Sequence, residues 1–237
     1  MNTRATQHEL AVNGRSVPLV VRRHKQARRL ALRLDAGGEH LVLTLPPGVP
    51  EAEGLRFARR HTGWAASCLA RQAPRVPFAD GAEVPFMGTP HTIRHDPGAR
   101  GGVWAADGVI TVAGRAEHVQ RRVTDWLREQ ARREGRRRAD AVADRLGAHV
   151  ARVSIRDTRS RWGSCSSKGN LNLCWRLIMA PEWVFQYVVV HEVAHLREPN
   201  HSARFWRVVR DLGGDPEPAR AWLNQHGREL HRYGPAP

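Results

Sequence analysis

The sequence predicts an α+β fold: a β-rich N-terminal half leading into a helical core with a small antiparallel sheet. Three observations predict it. Apolar-alternating stretches separated by two-residue turn signals fill the first third of the chain. A proline-free, arginine-rich stretch from Ala116 to about Leu146 carries apolar residues at helical spacing. The last third returns briefly to alternation and then shows helix-opening signals at Pro181 and Ser202.

Asn13-Gly14 lies between two apolar stretches and marks a hairpin. Leu30, Leu32 and Leu34 alternate, Gly37-Gly38 turns the chain, and Leu41, Leu43 and Leu45 alternate again. From Pro50 to Gln72 the pattern is helical, with Gly54 and Gly63 weakening its continuity. Short strands follow at Val84-Pro85-Phe86, at His91 to Arg94, and on both sides of Asp107-Gly108. Val119, Val123, Trp126 and Leu127 give the next stretch an apolar stripe, with Gly135 as a point of interruption and Gly147 as C-cap. Residues 151–178 read as strands with a turn at Ser167 to Asn170. Pro181 opens a helix expected to reach about Arg197, because Glu198 precedes Pro199. Ser202 caps another, ended by Gly213-Gly214, and a last helix runs through "PEPARAWLNQHGREL".

At 237 residues, with 41% hydrophobic and 26% charged residues, the chain suits a globular protein with a sizeable core. No apolar run is long enough to span a membrane, and "MNTRATQHEL" lacks the apolar centre of a secretory signal. Three cysteines, Cys68, Cys165 and Cys174, cannot all pair within the chain, so a reduced, cytoplasmic setting is expected. The net charge of +15 raises nucleic acid as a partner. All but Lys25 and Lys168 of the 38 basic residues are arginine, however, and the longest block, Arg136 to Arg138, reads as a solvated helical face. Nothing in the sequence sets the oligomeric state.

"VVVHEVAHL", Val188 to Leu196, is apolar except for two histidines and a glutamate, groups that are costly to bury without partners. On a helix, His191 and His195 point within about 40° of each other with a rise of roughly 6 Å, so two imidazoles can converge on one ion. Glu192 lies about 80° from their mean direction, beside the ion rather than aimed at it. Metal-assisted hydrolysis needs this pattern: two neutral imidazoles hold zinc, and a neighbouring carboxylate takes a proton from its water. His201, just beyond Pro199, is favoured as third ligand; Glu198 is its rival, and Glu217 or Glu229 on the last helix is a further choice.

The segment from Ser160 to Val209 contains, in order, "RWGSCS", "GNLNL", "WRLIMAP", "HEVAH" and "NHSARFW". With these motifs it resembles the YgjP-like metal-dependent hydrolases, relatives of the SprT-like zinc metallopeptidases. The motifs are highly specific over this segment, and weaker similarity runs from about residue 17 to 231. The resemblance implies zinc ligands at His191, His195 and His201, with Glu192 as general base. It also implies a zincin-like, more narrowly gluzincin-like, core in which a strand beside the active-site helix guides an extended substrate. One metallopeptidase region is then expected over residues 17–231, with a β-rich part (17–115) and a catalytic core (116–231). Cys174 departs from the family, whose members often carry Asn there.

Around this centre, Gly163 would permit close approach of a backbone. Arg159, Arg161 and Trp162 are candidate substrate contacts, the arginines as stabilisers of an oxyanion or binders of a carboxylate or phosphate. Cys165 reads as a small buried thiol, Tyr187 as packing near His191, and Phe205-Trp206 as core. Zinc-dependent hydrolysis of peptides or proteins is the expected activity. The alternatives are a metal-dependent nucleoside triphosphate pyrophosphatase, a label carried by some relatives, and a nucleic-acid-associated protease module. No Walker-type loop supports the former.

Overall fold

The computed structural model describes residues 5–35, 38–70 and 74–235. Its contacts form two compact units, one ending at Pro74 and one beginning at Arg75. This division falls upstream of residue 115, because the strands of residues 83–113 share a core with the helix that follows them.

The first unit is a four-stranded mixed sheet with two short helices. Strands β1 (Thr6–Val12) and β2 (Arg15–Arg23) form the expected hairpin, with Asn13 and Gly14 both at positive φ. Strands β3 (Ala31–Leu34) and β4 (Leu41–Leu45) pair antiparallel, and β4 also pairs parallel with β2. The order is therefore β1-β2-β4-β3. Gly37 of the turn read between β3 and β4 lies outside the described residues. The helical stretch expected as one breaks at His61 rather than at a glycine, into α1 (Glu51–Arg60) and α2 (Thr62–Ala70). His61 leaves helical geometry, its Nδ1 2.8 Å from the Phe57 carbonyl. Leu10, Leu19, Leu43 and Ala58 are among the aliphatic residues that form this unit's core.

The second unit opens with another four-stranded sheet of the same plan: β5 (Glu83–Phe86), β6 (Thr89–Asp96), β7 (Val103–Ala106) and β8 (Val109–Ala113), ordered β5-β6-β8-β7 with one parallel pair, β6/β8. Its first turn, Met87-Gly88, also has both residues at positive φ. A 28-residue helix, α3 (Val119–Leu146), follows a short 3₁₀ turn and ends at Gly147 in the left-handed region. Gly135 does not interrupt it. A Cβ there would sit 2.8 Å from the Leu173 side chain, so the glycine lets helix and sheet approach closely.

The third sheet is β10-β11-β9, from β9 (Arg152–Arg156), β10 (Gly163–Cys165) and β11 (Asn170–Cys174). It is mixed rather than antiparallel. β10 and β11 form a hairpin, but β11 lies between β9 and β10, and the loop after β9 carries the chain across so that β9 runs parallel to β11. Alternation of side chains does not encode that choice. A 3₁₀ turn (Trp175–Met179) leads into α4 (Glu182–Ala194), which ends three residues before the expected position and continues as a hydrogen-bonded turn through Glu198. α5 (Ala203–Asp211) is capped by the Ser202 hydroxyl, which accepts from the Phe205 N–H. α6 (Pro216–His226) is shorter than its pattern, and Glu229–Arg232 forms a separate 3₁₀ turn. The whole is a mixed α/β protein with three small mixed sheets and six helices among the described residues. No described helix is long and apolar enough to cross a membrane.

Candidate metal centre

α4 is apolar on nearly every side and sits in the core of the second unit, with only Glu182 and Trp183 exposed. Its C-terminal turn brings His191 and His195 together, and the chain reversal at Pro199 returns His201 to them. One ligand atom from each of the three histidines lies within 4.8 Å of the others. His191 Nε2 and His201 Nε2 are 3.0 Å apart. A tetrahedral zinc with bonds near 2.0–2.1 Å separates its ligand nitrogens by about 3.3 Å, and the His191–His201 separation is near that value.

The outer ring nitrogens have partners that favour this use. His195 Nδ1 lies 3.2 Å from the Glu198 carbonyl, to which its N–H donates, leaving Nε2 as the lone-pair nitrogen. His191 Nδ1 is 3.4 Å from the Tyr187 hydroxyl. Burial, together with the other two histidines and Arg220, lowers the His191 pKa to about 4, so the imidazole is neutral at pH 7 with a lone pair to offer. His195 is likewise lowered, chiefly by burial. Phe205 is fully buried and stacks on His195 at 4.5 Å, fixing the ring. The carboxylates of Glu198, Glu217 and Glu229 are outside the cluster: Glu198 contributes its carbonyl, Glu217 pairs with Arg210, and Glu229 lies 3.9 Å from His226.

Glu192 is buried beside β10. A Cβ on Gly163 would come within 2.6 Å of Glu192 Cγ, so no other residue fits there without displacing the carboxylate. Burial raises the Glu192 pKa to about 7, against the opposing pull of Arg161 and of the Cys165 N–H that donates to it. Such a group is poised to exchange a proton near neutral pH.

β10 is an edge strand. The Cys174 N–H donates to the Trp162 carbonyl and the Ser166 N–H to the Asn170 carbonyl, which points the main-chain groups of Gly163 and Cys165 away from β11. Beside this edge opens a cleft of about 570 Å³, reached by His191, Glu192, His201, Tyr187, Arg161 and Trp162. A second cavity, about 360 Å³, shares Arg161 and Gly163 with it and extends over Ser164 and Asn172. Arg159 lines neither cavity. Trp162 packs on His231 at 5.5 Å. Behind it, Arg176 is buried and binds Asp157 at 2.9 Å and the carbonyls of Leu230 and Tyr233 at 3.0 and 2.8 Å, tying the β9–β10 loop to the C-terminal turn. Burial works against ionisation of Asp157, but the guanidinium prevails and its pKa is lowered.

Two further features of the site, the cleft-facing Trp206 and the Arg220–Asn224 pair, are not legible in the sequence, while Cys165 is the thiol expected there. Trp206 is half-buried and lines the cleft, 5.7 Å from both His191 and His201, while Phe205 alone is core. Arg220 and Asn224 of α6 also face the cleft. Their spacing of four residues on one helix was the available signal, but it names no target without the position of α6. Cys165 is half-buried, and its thiol is pushed up to about 11 by burial and then by Glu192, which makes it a poor nucleophile.

Comparison with curated proteins gives no match. Among solved structures, the crystal structure of the metallopeptidase zymogen of Pyrococcus abyssi abylysin is a loose likeness. It is 26% identical, with a TM-score of 0.35, over 43% of this chain and 99% of that one. The profile of the YgjP-like family, described as its metallopeptidase domain, matches residues 28–226. Covering well over half of the chain, that match shows that this protein belongs to the YgjP-like family and carries its metallopeptidase domain.

Proposed function

We propose that the chain is a zinc-dependent peptidase with a zincin-like catalytic core in residues 116–231, in which His191, His195 and His201 hold the ion and Glu192 is the general base. The observation that carries this reading is the convergence of three imidazoles beside a buried carboxylate. Zinc, if held there by the three imidazoles, would supply a Lewis acid for a carbonyl oxygen and would lower the pKa of a coordinated water to about 7. Glu192 accepts the water proton and delivers it to the leaving amine, work suited to a carboxyl whose pKa is near neutrality. The outward main-chain groups of β10 align an extended peptide as an added strand. Arg161 and Trp162 contact that peptide from the cleft wall. Arg159, which lines no part of it, is left out of the proposal.

A nucleic-acid role is not part of the proposal either. The Arg136 to Arg138 block pairs with Asp140, Glu134 and Glu182, so much of its charge is answered on the protein. The three cysteines are free thiols, which suits a reducing, cytoplasmic setting.

Metal analysis and turnover on a panel of peptides and nucleoside triphosphates test the reading together. Wild type and Glu192→Gln are expected to hold one zinc per chain, with turnover lower by roughly 100-fold or more in the variant. His201→Ala is expected to lose zinc, and Glu198→Ala to keep it. Full turnover by zinc-loaded Glu192→Gln would overturn the mechanism, and the reverse order of zinc loss would move the ligand role to Glu198. Cleavage confined to the triphosphates would replace the peptidase reading with a pyrophosphatase.

A further inference from the structure

Arg220 and Asn224 lie one turn apart on α6 and line the cleft beside the imidazole cluster. The Arg220 guanidinium is 5.7 Å from the centroid of the Trp206 ring, and that ring is 5.7 Å from the rings of both His191 and His201. The guanidinium and the cluster thus lie against the same indole ring. Arg161 contributes a second positive charge to the same cleft, and among the described residues the only acidic one lining it is Glu192. The nearest carboxylate on α6, Glu217, is engaged by Arg210 at 3.1 Å. Arg220 is exposed, and among the described residues it has no acidic hydrogen-bonding partner.

An arginine stacked on an indole is held in orientation while its planar fork stays open to an anion. An amide one helical turn away adds a neutral donor. Residues of an extended peptide advance about 3.3–3.6 Å each, so a group one or two residues from the scissile bond reaches past Trp206. We infer that Arg220 and Asn224 form a subsite for a substrate carboxylate, which makes the enzyme selective for peptides with an acidic group next to the scissile bond. The inference rests on the peptidase reading for its substrate class. The carboxylate comes from an Asp or Glu side chain or from the chain terminus.

Binding decides the subsite independently of turnover. Zinc-loaded Glu192→Gln is titrated by calorimetry with two sets of matched peptides. One set varies Glu against Gln near the centre of a peptide with both ends blocked. The other varies a free C-terminal acid against its amide, with no acidic side chain. The acidic member of one set is expected to bind about tenfold more tightly, the lower range of a charge-assisted hydrogen bond, and the set that responds identifies the source. Adding Arg220→Gln should bring the ratio to about one, and Arg220→Lys should leave an intermediate ratio. Arg133→Gln, on the outer face of α3, should leave it unchanged. Equal affinities in both sets, or a ratio that survives Arg220→Gln, would overturn the subsite. Selective binding with no peptide cleaved by wild type would uphold the subsite and remove the peptidase reading instead.

Discussion

α3 and α4 pack against one another in the same core, yet they treat polar residues in opposite ways. α3 buries one stripe, including Val123, Leu127, Ala131, Ala139 and Leu146, and turns its charges outward except for Arg138, which is buried and paired with Glu134 and Glu182. Those charges answer one another along the helix: Arg121 with Asp125, Arg132 and Arg133 with Glu129, Arg136 with Asp140, and Arg137 with Glu134. α4 has almost no outward face, so each polar group on it must find a partner inside the protein or serve a reaction. The difference teaches where a polar residue is informative. The arginines of α3 are nine of the 38 basic residues and are largely answered on the helix itself, whereas four polar residues on α4 and the loop after it, His191, Glu192, His195 and His201, define the candidate site.

Three substitutions sharpen or break this comparison. Placing a new polar group on α4, as in Val190→Asn at a fully buried position, should cost about 3–4 kcal/mol in urea unfolding, the scale of an unpaired buried amide. A loss below about 1 kcal/mol would mean that α4 tolerates polarity and that its histidines and glutamate are less informative than argued.

The second concerns a polar group α4 already carries. Glu192 holds its proton up to about pH 7 when folded, against an ordinary value of 4.5. The folded state therefore binds more protons than the unfolded chain between these values, and stability falls as pH rises through that window. At roughly 1.4 kcal/mol per unit of pKa, the penalty above pH 7 is on the order of 3 kcal/mol. In chelator, Glu192→Gln should then be more stable than wild type at pH 8 by about that amount, with the difference shrinking toward pH 4. A wild type as stable as the variant at pH 8 would show that the carboxylate is well accommodated and carries no functional strain.

The smallest effect belongs to α3. Arg133→Gln removes one exposed i,i+4 pair with Glu129 and should change stability by less than about 0.5 kcal/mol, with any change vanishing in high salt. A larger loss would show that the outer face of α3 is a structural network rather than a solvated surface.

Local rules written in the sequence account for much of the fold. Asn13-Gly14 and Asp107-Gly108 turn hairpins because both residues of each pair adopt positive φ, and Gly147 ends α3 for the same reason. The helical period put His191 and His195 on one face, and the stop at Pro199 put His201 within reach, so the three candidate ligands were legible before any tertiary contact was known. Tertiary structure decided what depends on residues distant in sequence. It made the third sheet mixed by placing β11 between β9 and β10, and repeated one strand plan in two sheets with no repeat in the residues. It kept Gly135 inside a continuous helix because Leu173 needs the space, and made Gly163 the floor under Glu192. It also separated Phe205 from Trp206, and brought Arg220 and Asn224 to a cleft their own helix pattern does not mention. Periodicity reports which side of an element is apolar; only the packing of one element on another determines what its polar side faces.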